Sequence, residues 1–398
     1  MKKIILANGL TILFSDRNVR TKYNPADFML SLTFCGGHIT EPKLGLASLY
    51  EKIVTNTDPS LSSFCGGDIT SFYAVGQSNN LEVRLRSLYL SCVVPRLFDD
   101  HVRSAANEII LHTQELALMP ERQTKLAYKH TAFSQDDVVW DVDKYVQAVK
   151  SLTSQDVMAY IIEHLVAKNM VVCFTGPQTL FDQALKLMRK YLEEIPSGNK
   201  KAPRKLLYTG GYQIVPNADE TNIAMFGWRL SHSVNFAELN ILMSMLSSRL
   251  ERKFSEAGII ANPIVKIAGY FGFRTLRISI NCINTARFHE AMDIVCSNVR
   301  RLINELASDR RMEMSRNRAM TERLALPNDR LPRSIEAAWM LMRKGKEYNN
   351  NDCIDTMWQI TSSDIRDTAR LIFSERLTCV IYTGIECPSY QDFALKMK

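Results

Sequence analysis

At 398 residues the chain is long enough for two or three domains. Its 46% hydrophobic and 23% charged residues are ordinary globular values, which excludes a disordered, collagen-like or low-complexity protein. The net charge of +7 is mild over this length and no basic stripe is interleaved with aromatics, so nucleic acid is not an expected partner.

In chain order, Ile4–Phe14 and Phe28–Phe34 read as strands and Leu44–Thr55 as a helix. Ile69–Val75 and Leu81–Val83 read as strand or turn edges, and Leu97–Leu118 as a long helix. Further on, Ile223–Trp228 reads as a strand and Phe236–Phe254 as a helix. Thr275–Cys282 alternates as a strand does, Ala286–Leu306 has helical spacing, and Met312–Leu324 is helical and strongly basic. No uncharged apolar run approaches the roughly 18 residues of a spanning helix, so direct membrane insertion is not expected. The opening Met1-Lys2-Lys3 is followed by too few apolar residues for a secretory signal, and no Arg-rich presequence is visible. An organelle address is therefore expected to be removed, very short or internal. Nine widely spaced cysteines with no CxxC read as reduced core thiols.

The chain repeats itself. Thr153-Ser154-Gln155-Asp156-Val157 returns 208 positions later as Thr361-Ser362-Ser363-Asp364-Ile365. Val172-Cys173-Phe174-Thr175-Gly176 returns at the same offset as Val380-Ile381-Tyr382-Thr383-Gly384. Each copy reads as a capped amphipathic helix followed by an apolar strand ending at Gly. Between the copies, Ile195–Arg204 carries two Pro, one Gly and three cations and reads as an exposed linker. The expected organisation is two homologous α+β domains, residues 1–197 and 207–398, joined by 198–206. Each is expected to hold an antiparallel-rich sheet covered by helices on one side.

No GxSxG elbow, Walker loop or GxGxxG is present, and no two of the seven His stand at i and i+4. A short echo, Phe34-Cys35-Gly36-Gly37-His38-Ile39-Thr40 against Phe64-Cys65-Gly66-Gly67-Asp68-Ile69-Thr70, offers Cys35, His38, Cys65 and Asp68 as a metal set. Two strand ends turning on Gly-Gly is the plainer reading. The basic run Arg310, Arg311, Arg316, Arg318 and Arg323 reads as a solvated face, or more sharply as a surface for an acidic partner.

The segment Gly45-Leu46-Ala47-Ser48-Leu49-Tyr50-Glu51-Lys52-Ile53, preceded by Asn8-Gly9-Leu10 and Gly36-Gly37-His38-Ile39-Thr40-Glu41, resembles the opening of the pitrilysin/insulinase peptidase clan. That clan carries an inverted zinc motif, H-x-x-E-H, on this helix. Two His one turn apart bind the metal and the Glu activates water. Here Ser48 and Lys52 stand at the His positions and only Glu51 matches. The clan's third ligand, a later Glu, falls near His112 without gaps, or on Glu108 or Glu115 with them. Lys stays protonated at neutral pH, so this site is not expected to bind zinc.

Within the clan the Glu51-Lys52 pair is similar to the non-catalytic α-type subunits of processing peptidases. Pro95-Arg96-Leu97, Tyr208-Thr209-Gly210-Gly211, Ser248-Arg249-Leu250 and Glu386-Cys387-Pro388-Ser389-Tyr390 follow in the family's order. The family's glycine-rich loop before Ser-Arg-Leu is missing here, and Phe254 and Ala261 about Gly258 replace its substrate-holding Arg and Tyr. The resemblance implies a non-enzymatic chain with no cofactor of its own. It implies a zinc-bearing β-subunit as heterodimer partner and basic presequence peptides as ligands, with Glu41, Glu108, Glu115 and Glu121 as weak contact candidates. The implied location is the matrix of a mitochondrion, hydrogenosome or mitosome. A core-type subunit of a respiratory bc1 complex, or the inactive member of a bacterial peptidase pair, is the alternative.

Overall fold

A computed structural model describes residues 1–16, 26–133, 141–202, 206–217, 221–231, 233–270, 273–282, 285–325, 330–345 and 350–397. The first half contains β1 (Lys2–Ile5), β2 (Thr11–Asp16), β3 (Phe28–Phe34), α1 (Leu46–Thr57), β4 (Ser62–Cys65), β5 (Thr70–Gly76), α2 (Leu81–Leu88), α3 (Asp99–Ala117), α4 (Pro120–Ala132), α5 (Val142–Ser151), α6 (Ser154–His164), β6 (Met170–Gly176) and α7 (Phe181–Leu192). The second contains β7 (Gly211–Pro216), β8 (Asn222–Arg229), α8 (Phe236–Ala257), β9 (Ala261–Tyr270), β10 (Phe273–Cys282), α9 (Phe288–Asn304), α10 (Asp309–Ala325), α11 (Arg330–Lys344), α12 (Asn350–Gln359), α13 (Ser362–Phe373), β11 (Thr378–Thr383) and α14 (Tyr390–Met397).

The strands form two sheets of one design. The first runs β1-β2-β6-β3-β5-β4 and the second β7-β11-β8-β10-β9. In each, one parallel pair (β2 with β6, β7 with β11) is followed by antiparallel neighbours. The two-domain α+β fold expected from the sequence is present. Thr153 and Thr361 both close complete capping boxes, each with the Asp three residues on. The strand echo is slipped by one residue. Phe174 packs against the tilted ring of Phe14 and edge-to-face against Phe181 of α7. At offset 208 its counterpart Tyr382 lies on the opposite face, against α4, whereas Ile381 lies in the core with residues of α8, α9 and α13. The α13 helix has 12 residues and α6 has 11, and a one-residue shift reverses every side chain of a strand.

Two local expectations change. Ile4–Phe14 is a hairpin rather than one strand, because Gly9 adopts φ 91° and the Asn8 side chain accepts the Leu10 N–H at 3.1 Å. Leu81–Val83 opens helix α2, with Leu81, Leu85 and Leu88 buried at helical spacing.

The compact units are not the contiguous halves. One comprises Met1–Thr113, Val142–Arg204 and Leu326–Tyr348; the other comprises Gln114–Asp141, Lys205–Ala325 and Asn349–Lys398. In the first unit, α11 lays Ala337, Ala338, Leu341 and Met342 on Leu13, Cys35, Val171 and Cys173 of the sheet. In the second, α4 lays Ala127, Tyr128 and Ala132 on Ile223, Met225, Val380 and Tyr382. The two halves thus exchange equivalent helices. Both sheets are covered on two faces, not one, which is why β3, β6 and β11 are buried along their whole length instead of alternating. Linker residues are also less free than expected: Ala167 and Lys168 donate their N–H groups to Pro196 and Ser197, and Lys201 N–H bonds the Asn169 side chain. Pro203 and Arg204 lie outside the described residues.

Candidate functional site

Helix α1 buries Leu46, Ala47, Leu49, Tyr50, Ile53 and Val54, a stripe at i, i+3, i+4, i+7 that fixes its rotation. The Tyr50 hydroxyl donates to the Cys92 carbonyl at 2.6 Å and ties the stripe down. Ser48, Glu51 and Lys52 are left on the opposite, half-exposed face. The helix begins at Gly45, φ 87°, where a Cβ would lie 2.5 Å from the Val149 side chain. Its first turn is capped from outside. The two side-chain oxygens of Glu41 accept the Gly45 and Ala47 N–H groups, each at 2.8 Å. Burial nevertheless pushes the Glu41 carboxyl up to about 8, against the pull of those backbone donors.

Lys52 and Asn56 of α1 meet α3. The Lys52 ammonium lies 2.7 Å from one Glu108 oxygen, and the Asn56 amide donates to the other at 2.8 Å. The bond from Lys52 holds the Glu108 carboxyl below its ordinary value. His112 and Glu115, one and two turns further along α3, are exposed. Of the three third-position candidates, Glu108 is the one seated against the motif. Glu51 is turned aside: burial raises its carboxyl, opposed by a Ser63 hydroxyl bond and the Cys65 N–H of β4.

These residues do not fit a zinc ion. An ammonium has no lone pair to give, and that of Lys52 is already paired with the Glu108 carboxylate. Nor are Cys35, His38, Cys65 and Asp68 brought together. The Cys65 sulfur is 3.7 Å from His38 Nε2, but Cys35 Sγ meets Met342 of α11. The Asp68 carboxylate accepts from Trp339 and Arg343 of the same helix at 3.2 and 3.3 Å. Among the described residues no three His, Cys, Asp or Glu side chains are grouped to hold a metal. The echo has a backbone meaning instead. His38 and Ile39 N–H groups bond the Gly66 and Gly67 carbonyls, and a Cβ on Gly37 would sit 2.5 Å from the Gly66 oxygen. Two Gly-Gly turns pack backbone on backbone.

The four contact candidates have separate occupations. Glu41 caps α1, Glu108 pairs with Lys52, Glu115 is exposed, and Glu121 accepts from the Asn281 amide at 3.3 Å. The basic run on α10 is largely a set of fasteners rather than a solvated face. Arg316 donates to the Met357 and Ile360 carbonyls, Arg318 is bidentate to Glu251, and Arg323 is buried over the Phe236 ring. In the second unit Phe254 is a core residue, Gly258 ends α8 at φ 65°, and Ala261 opens β9.

Comparison with known proteins agrees with the two-sheet fold. Residues 151–319 match the family described as the Peptidase M16 inactive domain. Among solved structures the chain is similar over 100% of its length to 99% of a chain of Complex III2 from Candida albicans, Inz-5 bound. That likeness has a TM-score of 0.86 at 13% identity, so it is a likeness of fold. No curated protein matches the sequence.

Proposed function

We propose that the protein is a non-catalytic subunit of a larger assembly, in the role of a core-type subunit of a respiratory bc1 complex. The observation that carries the non-catalytic part is the Lys52–Glu108 ion pair, which puts an ammonium where the fold's peptidases need a metal ligand. The end-to-end likeness to a Complex III2 chain supports the assembly. The location that goes with this reading is a mitochondrion or an organelle derived from one.

A second reading, the α-type subunit of a processing peptidase beside a zinc-bearing β-subunit, is favoured by the Glu51-Lys52 pair at the motif. It is weakened at Glu41, a residue assigned to presequences that is instead committed to capping α1. The test is purification of the tagged chain from its native membranes and matrix in parallel, under mild detergent. A haem-containing membrane assembly without presequence cleavage supports the first reading. A matrix heterodimer that holds zinc and cleaves a synthetic basic presequence overturns it in favour of the second. Zinc and cleavage in the isolated chain would overturn both.

A further inference from the structure

Among the described residues four edges bound the two sheets, and three are protected in the usual ways. The β1 edge carries Lys2 and Lys3, β4 is only four residues long, and β9 carries Pro263 and Lys266. The fourth, β7, has the sequence Gly211-Tyr212-Gln213-Ile214-Val215-Pro216, with no charge and no Pro before its last position. Ile214 is 41% exposed.

The duplicated fold shows what an edge in this place receives. By strand order β7 is the counterpart of β2, the parallel neighbour of β6, and β2 is not an edge, because β1 pairs with it. The register locates the equivalent groups. Gly211 N–H bonds the Leu377 carbonyl, so Gly211, Gln213 and Val215 point their backbone groups at β11. Tyr212 and Ile214 therefore point theirs outward. In the first sheet, Leu6 N–H bonds the Leu10 carbonyl, so the outward groups of β2 belong to Ile12 and Phe14, opposite Ile4 and Lys2. Among the described residues nothing fills the corresponding place beside Tyr212 and Ile214.

We infer that the outer edge of β7 is a docking site for an extended segment of another polypeptide, which adds to the sheet antiparallel to β7 as β1 adds to β2. The recognition is main-chain pairing at Tyr212 and Ile214 plus apolar side chains beside Ile214. A second copy of this chain is a poorer occupant. Two residues' worth of outward backbone is a small contact for two folded bodies, whereas a stable dimer needs about 1,000 Å² or more. A flexible segment needs no such area around the strand. This inference does not depend on which assembly the protein serves.

The experiment is hydrogen exchange at single-residue resolution on the full chain, alone and in the assembly that co-purifies with it. In the isolated chain the Tyr212 and Ile214 amides should exchange freely, while those of Gln213 and Val215 are protected by β11. In the assembly Tyr212 and Ile214 should slow by at least about tenfold. Ile214→Pro removes only an outward N–H and should leave the isolated chain's melting temperature close to wild type, yet lose that protection; Ile214→Val should keep it. Equal protection of Tyr212 and Ile214 in the isolated monomer overturns the inference, since the chain then covers its own edge. So does free exchange in the assembly, and so does a homodimer of the isolated chain that Ile214→Pro dissociates.

Discussion

One ammonium decides the chemistry of α1. Lys52 and Ser48 lie one turn apart on α1, and Glu108 faces position 52, so two imidazoles placed there would share one side of the helix with a carboxylate. Placing both imidazoles should create a zinc site. Ser48→His/Lys52→His is expected to hold about one zinc per chain, the ratio of a three-ligand protein site, in elemental analysis after gel filtration. Lys52→His alone should remain below that level, and Lys52→Ala should shift stability by less than about 1 kcal/mol, as half-exposed pairs do. Glu41 was legible as an acid beside the motif, but its capping role was not, because the donors it serves lie four and six residues on and the carboxylate must fold back to reach them. Glu41→Ala should cost about 1–2 kcal/mol in chemical denaturation. Its titration has a definite sign. The folded carboxyl keeps its proton to about 8, well above the unfolded value near 4.5. Its contribution is complete below that unfolded value and is lost as pH rises through about 8. Glu41→Gln should flatten this part of the stability–pH curve, and a curve of unchanged slope would show that the carboxyl is ionised throughout.

At the scale of elements, what could be read from sequence was what is written locally. The capping boxes at Thr153 and Thr361 were visible because Thr and Asp three apart carry their own geometry, and both form. Thr153→Ala and Thr361→Ala should therefore cost nearly the same, about 1 kcal/mol each, read from urea midpoints. Helix α11 was not legible as a partner of β3 and β6. Its apolar residues show only that one face is buried, and nothing local says against which sheet. The structure answers through a buried clasp. Arg343, 1% exposed in its side chain, bonds the Asp68 carboxylate, the Asp68 carbonyl and the Lys201 carbonyl. Arg343→Ala leaves Asp68 buried with its charge partner gone and should cost about 3–5 kcal/mol, with loss of protection in α11 amides before the rest of the chain. A loss under 1 kcal/mol would mean that α11 is held by its apolar face alone.

For the molecule as a whole, the repeat at offset 208 made the duplication legible, and strand order confirms it in the parallel pairs β2–β6 and β7–β11. The exchange of α4 and α11 was hidden, since a contiguous repeat gives no sign that equivalent helices have crossed over. Its energetic reading is cooperative: each unit contains chain from both halves. Residues 1–204 alone should not fold to a native sheet, because Leu13, Val171 and Cys173 would face water without Ala337, Ala338 and Leu341. The expected outcome for that fragment is dye-binding, poorly dispersed spectra, and rescue when residues 326–348 are fused to it. A sharply melting 1–204 fragment would contradict the exchange as a requirement for folding.

The crossing of α11 also sets an order of events during synthesis. The first sheet is complete in sequence at Gly176, but its cover arrives only with Arg330–Lys344. At about 5–20 residues per second a ribosome needs on the order of ten to thirty seconds for that interval. Throughout it, the underside of the nascent sheet is an apolar surface with no owner. The protein is thus born with a waiting period, in which that surface stays open until the second half hands its helix back.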